Sequence, residues 1–308
     1  RLITAPPAVP LSADRPLPFH RTTPFTSLMA VSSKQAHACV VLVVLCIAAR
    51  TAAAWGRIDD RLEVNWGRGS HGTVSADGQV ISLSLDRNSG SGFRSRDTYL
   101  YARIDLQIKL APGNSAGTVT TCYFLSEGSW ANHDEIDLEF LGNSTGEPYT
   151  LHTNVYINGT GSKEQQFHLW FDPTADFHTY SIVWTPLHLL VLVDGTPIRE
   201  LKNHADRGVA YPSWQRMRLY GSLWNAEDWA TQGGRVKTDW SLAPFVAQYR
   251  NFTATTSSPG AGGGYYDQEM DATAQQAMKW ARDTHMVYNY CADSARFPYG
   301  SPPECYMP

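Results

Sequence analysis

The chain has 308 residues, a formal net charge of −4 and 12% aromatic residues, with ten Trp and fifteen Tyr. That length supports one large domain or two modest ones around a sizeable core. Nothing in this acidic balance suggests a nucleic-acid binder, which would carry a basic patch, and the abundance of rings suits a protein that stacks aromatics on flat ligands.

Residues 1–28 are Pro-rich and patternless, and no fold of their own is expected. Residues 29–54 open on Met29, carry Lys34, run apolar over 38–49 and end in the small residues 51–54. This pattern predicts a secretory signal peptide cleaved after Ala54. The apolar run, about twelve residues, is too short for a bilayer, which needs about twenty, so no membrane anchor is expected. Removing 1–54 takes away five basic residues and one acid, leaving 20 Lys+Arg against 28 Asp+Glu and a net charge of −8. Three sequons, at Asn143, Asn158 and Asn251, fit export.

Residues 55–254 alternate in short runs between turn signals, at 80–85, 99–110, 117–125, 135–140, 149–157, 178–184, 189–193 and 216–224. Asp194-Gly195 has hairpin chemistry. Many short strands with long connections predict an all-β, two-sheet jelly-roll sandwich. Composition shifts at Thr255, where TTSSPGAGGG reads as a linker. Asp271 is an N-cap candidate for a helix over 272–285, with Ala274, Met278 and Ala281 on one face. Cys291 and Cys305 enclose a Pro-rich loop that a disulfide would staple. Cys122 sits in an apolar strand, as a buried free thiol does. There is no metal-type Cys/His cluster, and no cofactor is expected.

The segment HDEIDLEFLGNST (133–145) sets four acids into a strand. Alternation puts Glu135, Asp137 and Glu139 on one face and Ile136, Leu138 and Phe140 on the core face. Asp134 falls on the core side by the same count and needs a hydrogen-bond partner or a strand irregularity. The row could be a solvated face, but no basic residue relieves it; a calcium site would want more carbonyl and Asn ligands. Glycoside hydrolysis or transfer uses two carboxyls, and like charges nearby raise one pKa so that an acid and an ionised base can coexist. Spacing alone leaves open which Glu is which, and whether the reaction retains or inverts.

HDEIDLEFLG resembles the active-site signature of plant xyloglucan endotransglucosylase/hydrolases, of glycoside hydrolase family 16. SAGTVTT (115–121), GNSTGEPYTLHTNVYINGTG (142–161), EQQFHLWFDPTADFHTYSIVW (164–184), VDGTPIRE (193–200), SLWNAEDWATQGGRVKTDWSLAPFVAQYRNF (222–252) and MVYNYCADSARFPYGSPPEC (286–305) extend it over nearly the whole mature chain. The resemblance implies a curved, concanavalin-like jelly roll with an open cleft and a short helical C-terminal extension over 255–308. It implies a retaining reaction with Glu135 as nucleophile, Glu139 as general acid/base and Asp137 assisting. Xyloglucan would be the donor, and another xyloglucan end or an oligosaccharide the acceptor; water as acceptor would make a hydrolase. By the same resemblance Tyr123 is the donor-side aromatic, Trp224 and Trp229 the acceptor platform and Gly233 the sugar-facing loop. His152, Asn154 and Glu164 become cleft residues, and Asn143 the N-glycan site. A secreted, monomeric enzyme of the cell wall or apoplast is implied. The tight DWATQGG–RVKTDWSLAPF connection resembles the transferase-type cleft. Mixed-linkage glucan or cellulose as donor or acceptor is the alternative within the enzyme class, and a non-catalytic carbohydrate-binding jelly roll is the alternative outside it. This chain departs from the family in three places. No cysteine lies in TTSSPGAGGGYYDQEMD, YFLSEGSWAN before His133 is longer than usual, and His152 stands where many relatives carry Gln.

Overall fold

The computed structural model describes residues 56–256 and 269–307. The signal peptide and upstream region expected over 1–54, and most of the expected linker, lie outside the described residues.

A short helix α1 (Ile58–Arg61) precedes the strands β1 (Leu62–Trp66), β2 (Gly72–Val74), β3 (Val80–Leu85), β4 (Ser91–Ser95) and β5 (Ala102–Lys109). β6 (Thr118–Ser126), β7 (Glu135–Leu141), β8 (Thr150–Tyr156), β9 (Gln165–His168) and β10 (His178–Trp184) follow. β11 (His188–Val193), β12 (Thr196–Lys202), β13 (Met217–Asn225) and β14 (Phe245–Thr255) come next, and α2 (Ala272–His285) and β15 (Met286–Asn289) are the last α-helix and strand among the described residues. Neighbouring strands pair antiparallel into an eight-stranded sheet, β1-β4-β13-β6-β7-β8-β9-β15, and a seven-stranded sheet, β12-β11-β10-β5-β14-β3-β2. The fold is the expected all-β sandwich.

The core lies between the sheets because each strand alternates. Ile136, Leu138 and Phe140 of β7 meet Phe124, Leu83, Ile104 and Tyr249 in one buried cluster. Asp194 (φ 47) and Gly195 (φ 78) are both left-handed, as the tight hairpin between β11 and β12 requires. The strand read over 99–110 starts instead at Ala102, because Tyr101 sits at φ 64, outside extended geometry.

The helix occupies 272–285, and the Asp271 carboxylate accepts from the Ala274 N–H at 2.8 Å. Its Met278 packs with Val183, Leu190 and Leu192 on the outer face of the seven-stranded sheet, with Ala274 against them. β15 pairs with β9 and so lengthens the other sheet. Cys291 and Cys305 are bonded, with Cα atoms 5.5 Å apart. Cys122 is free and buried, and burial pushes its thiol pKa up to about 12.

Candidate active site

β7 lies between β6 and β8, so its outward carboxylates are framed by the outward residues of both neighbours. Glu135 pairs across from Leu125 and Tyr156, Asp137 from Tyr123 and Asn154, and Glu139 from Thr121 and His152. The core-facing residues between them are fully buried, which locks the register: a one-residue slip would drive three carboxylates into the core. Asp134 precedes β7 and is fully buried. Its Oδ1 accepts from the Asn158 N–H at 2.7 Å, its own N–H donates to Ser126 Oγ, and its carbonyl accepts from the Ser126 N–H. The acid that strict alternation could not accommodate thus ties the turn after β8 to the start of the acid strand.

Three carboxyls packed this closely cannot all stay ionised. Burial raises all three, and for Asp137 the charges of Glu135 and Glu139 raise it further, well above the carboxylate range. Glu139 is pushed up to about 7 by burial and by the Glu135 charge. Glu135 is raised by burial, but a hydrogen bond from Asp137 and the adjacent His133 pull it back. Glu135 is therefore the group that ionises most readily once Asp137 keeps its proton. His133 is buried, with its Nε2 3.1 Å from a Glu135 oxygen and its Nδ1 2.6 Å from the Trp130 carbonyl. Because a carbonyl only accepts, Nδ1 carries a hydrogen. Trp130 stacks on the His133 ring at 4.2 Å and Tyr156 flanks it at 5.2 Å, so the imidazole is held in place.

At the other end of the row His152 Nδ1 lies 2.9 Å from the Gln166 amide nitrogen, a donor, so its Nε2 carries the hydrogen. That Nε2 is 3.7 Å from Glu139. Burial lowers the His152 pKa to about 4, so a neutral N–H faces Glu139 at neutral pH.

A sequence profile described as "Glycosyl hydrolases family 16" matches residues 58–242, and one described as "Xyloglucan endo-transglycosylase (XET) C-terminus" matches residues 259–305. The chain is 60% identical over 245 residues to "Xyloglucan endotransglucosylase/hydrolase protein 24" of Arabidopsis thaliana, covering 79% of this chain and 88% of that protein. The chain belongs to the xyloglucan endotransglucosylase/hydrolases of glycosyl hydrolase family 16. It is also 55% identical over 259 residues to "Xyloglucan endotransglucosylase/hydrolase protein 22" of the same plant, covering 79% of this chain and 90% of that one. Among solved structures it superimposes on "Apo Crh5 transglycosylase" with a TM-score of 0.52 at 23% identity, covering 65% of this chain and 80% of that one; that likeness concerns the fold alone.

Within this family member the other site residues distribute unevenly. Tyr123 stacks on Tyr220 of β13 at 5.4 Å, on the carboxylate face. Asn154 is buried, and its Oδ1 accepts from the N–H groups of Val155 and Lys163, so it fixes the β8–β9 connection as well as facing Asp137. Trp224 and Trp229 lie 6.4 Å apart, and Trp229 stands edge-on to His152 at 6.2 Å. Gly233 is left-handed (φ 67) in the short 3-10 turn that follows. Glu164 is paired with Arg296 of the C-terminal extension through two bonds, at 2.6 and 3.2 Å, and its pKa is lowered: burial opposes, but the Arg296 hydrogen bond and charge prevail. Arg296 was not among the sequence candidates: its place follows from β15 pairing with β9, and no local pattern reports that pairing. Of the ring partners of His133, Tyr156 was missed for a similar reason, since it lies on β8, whereas Trp130 sits three residues upstream in a 3-10 turn that no strand alternation reports. At Asn143 the side chain bridges the turn after β7, donating to the Pro148 carbonyl and accepting from the Ser144 N–H.

Proposed function

We propose that this protein is a xyloglucan endotransglucosylase that cuts the β-1,4-glucan backbone by a retaining double displacement and joins the fragment to another xyloglucan end. Glu135 attacks the anomeric carbon as the ionised carboxylate. Glu139 protonates the leaving chain and later takes the proton of the incoming hydroxyl. Asp137 holds its proton against Glu135, which keeps the nucleophile anionic and aligned. One observation carries this reading: Glu135, Asp137 and Glu139 share the outward face of β7, where burial and the Glu135 charge push Glu139 up to about 7 and Asp137 and His133 hold Glu135 back. The 60% identity to a relative named xyloglucan endotransglucosylase/hydrolase supports the substrate.

Tyr123 serves the donor side, and Trp224, Trp229 and Gly233 the acceptor side. His152 and Asn154 hold the sugars over the carboxyls, with Glu164 beside them. The protein acts as a secreted monomer in the cell wall, released after Ala54, with a glycan at Asn143. The catalytic jelly roll spans 55–254, and 255–308 forms its C-terminal extension. No helix among the described residues is long and apolar enough to cross a membrane. Incubation with xyloglucan and a fluorescent xyloglucan oligosaccharide tests the reading: label should enter the polymer. New reducing ends without incorporation would assign a hydrolase instead, and transfer to mixed-linkage glucan at a higher rate would change the substrate.

A further inference from the structure

One row of outward residues crosses the eight-stranded sheet through Glu139. Thr121 of β6 pairs with Glu139, and its hydroxyl lies 2.8 Å from that of Ser222 on β13. Ser222 pairs with Gly92 of β4, and Gly92 with Trp66 of β1. The three residues between Glu139 and Trp66 are small, so they form a shallow floor that ends at an indole. Trp66 lies four strand steps from β7, about 19 Å at the usual strand spacing.

Trp66 does not reach this face by ordinary alternation. Val64 pairs with Phe93, both on the core side, and two residues later a side chain should again face the core. The register slips between Val64 and Trp66, and this bulge turns Trp66 outward. Its ring lies on glycines: a Cβ at Gly92 would sit 3.4 Å from Cε3 and one at Gly90 3.0 Å from Cη2. The indole remains 43% exposed. A bulge and two glycines thus support a ring whose other side faces solvent, an arrangement that core packing does not require.

We propose that Trp66 is a distal sugar platform for the donor polysaccharide, stacking a backbone glucosyl residue several units from the bond that is cut. Aromatic faces take the apolar faces of β-linked glucosyl rings, and a glucan laid across the strands along this row meets Trp66 at its end. The donor is the chain concerned because Tyr123, the donor-side aromatic, stands on β6 between β7 and Trp66, while Trp229 of the acceptor platform packs on His152 of β8, beyond β7. Trp224, although on β13, pairs with Val119 and so lies off the row that leads to Trp66. The inference rests on the reaction proposed above.

Steady-state transfer by Trp66→Ala and Trp66→Phe, with polymeric xyloglucan and with a donor oligosaccharide too short to reach β1, tests it. Trp66→Ala should raise KM for the polymer by about tenfold and leave kcat, acceptor KM and short-donor kinetics within about twofold, and Trp66→Phe should recover most of the loss. A merely structural role would lower kcat with both donors alike, together with the melting temperature, and that result overturns the platform; so does an unchanged polymer KM. Calorimetry in a Glu135→Gln background separates the two readings. If the wild type transfers nothing from xyloglucan but another β-glucan binds more weakly once Trp66 is removed, the substrate assignment falls and the platform stands. Equal binding of long β-glucans with and without the indole removes the platform whichever glucan is used.

Discussion

β7 and β11 are both interior strands, and their outer faces have opposite fates. β11 reads HLLVLV and is buried at every position, because Leu190 and Leu192 on its outer face are covered by Met278 of α2. β7 reads EIDLEFL, with a core face just as apolar, yet its outer face carries three carboxyls and no helix among the described residues covers it. A sandwich needs one apolar face per sheet; what is placed on the second face decides whether it is packed or used. Apolar residues on the outer face recruit a covering element, whereas acids and aromatics leave a surface for substrate.

The contrast is broken most sharply by removing a charge on β7. Glu135→Gln should lower transferase turnover by about 10⁴-fold or more while the protein stays folded, since the side chain faces outward. Labelled-acceptor incorporation and a thermal melt check both halves. The converse holds on β11: Leu192→Ala should cost about 2–5 kcal/mol of stability and leave the activity of the folded protein intact. Denaturant unfolding with activity normalised to folded protein would show it, and a selective loss of kcat would contradict the division of labour between the faces.

A subtler expectation concerns the cost of the buried acid. Glu139 has its pKa raised from 4.5 to about 7 in the folded protein. Between these values the folded chain holds a proton that the unfolded chain has released, so stability falls as pH rises through that window. Glu139→Gln removes this dependence and should stabilise the protein by up to about 3 kcal/mol at pH 8, with no gain at pH 4. Urea unfolding at the two pH values measures the difference. In the wild type the same ionisation should set the alkaline limb of kcat/KM near 7. The smallest effect is expected at the edge of the sheet: Arg296→Ala should cost about 1 kcal/mol or less and raise the pKa of Glu164 toward its ordinary value. NMR titration of Glu164 would register the change, and an unmoved pKa would show that the pair does not hold in solution.

Much of this protein was legible in one dimension. Alternation alone separated the three acids from Ile136, Leu138 and Phe140, because a strand's side-chain period is fixed by its backbone. The Asp194-Gly195 hairpin and the helix capped by Asp271 were legible for the same local reason. Register across strands was not, since nothing within β7 says that His152 rather than a neighbour faces Glu139, or that Arg296 reaches Glu164. The burial that divides the protonation of Glu135, Asp137 and Glu139 is likewise a property of the assembled sheet. The sequence by itself determined which residues could share a face, because that is set by the geometry of one chain. Only the tertiary structure decided what stands opposite them, how much water they keep, and that a bulge turns Trp66 toward the carboxyls' side of the sheet, because pairing and desolvation belong to chains brought together.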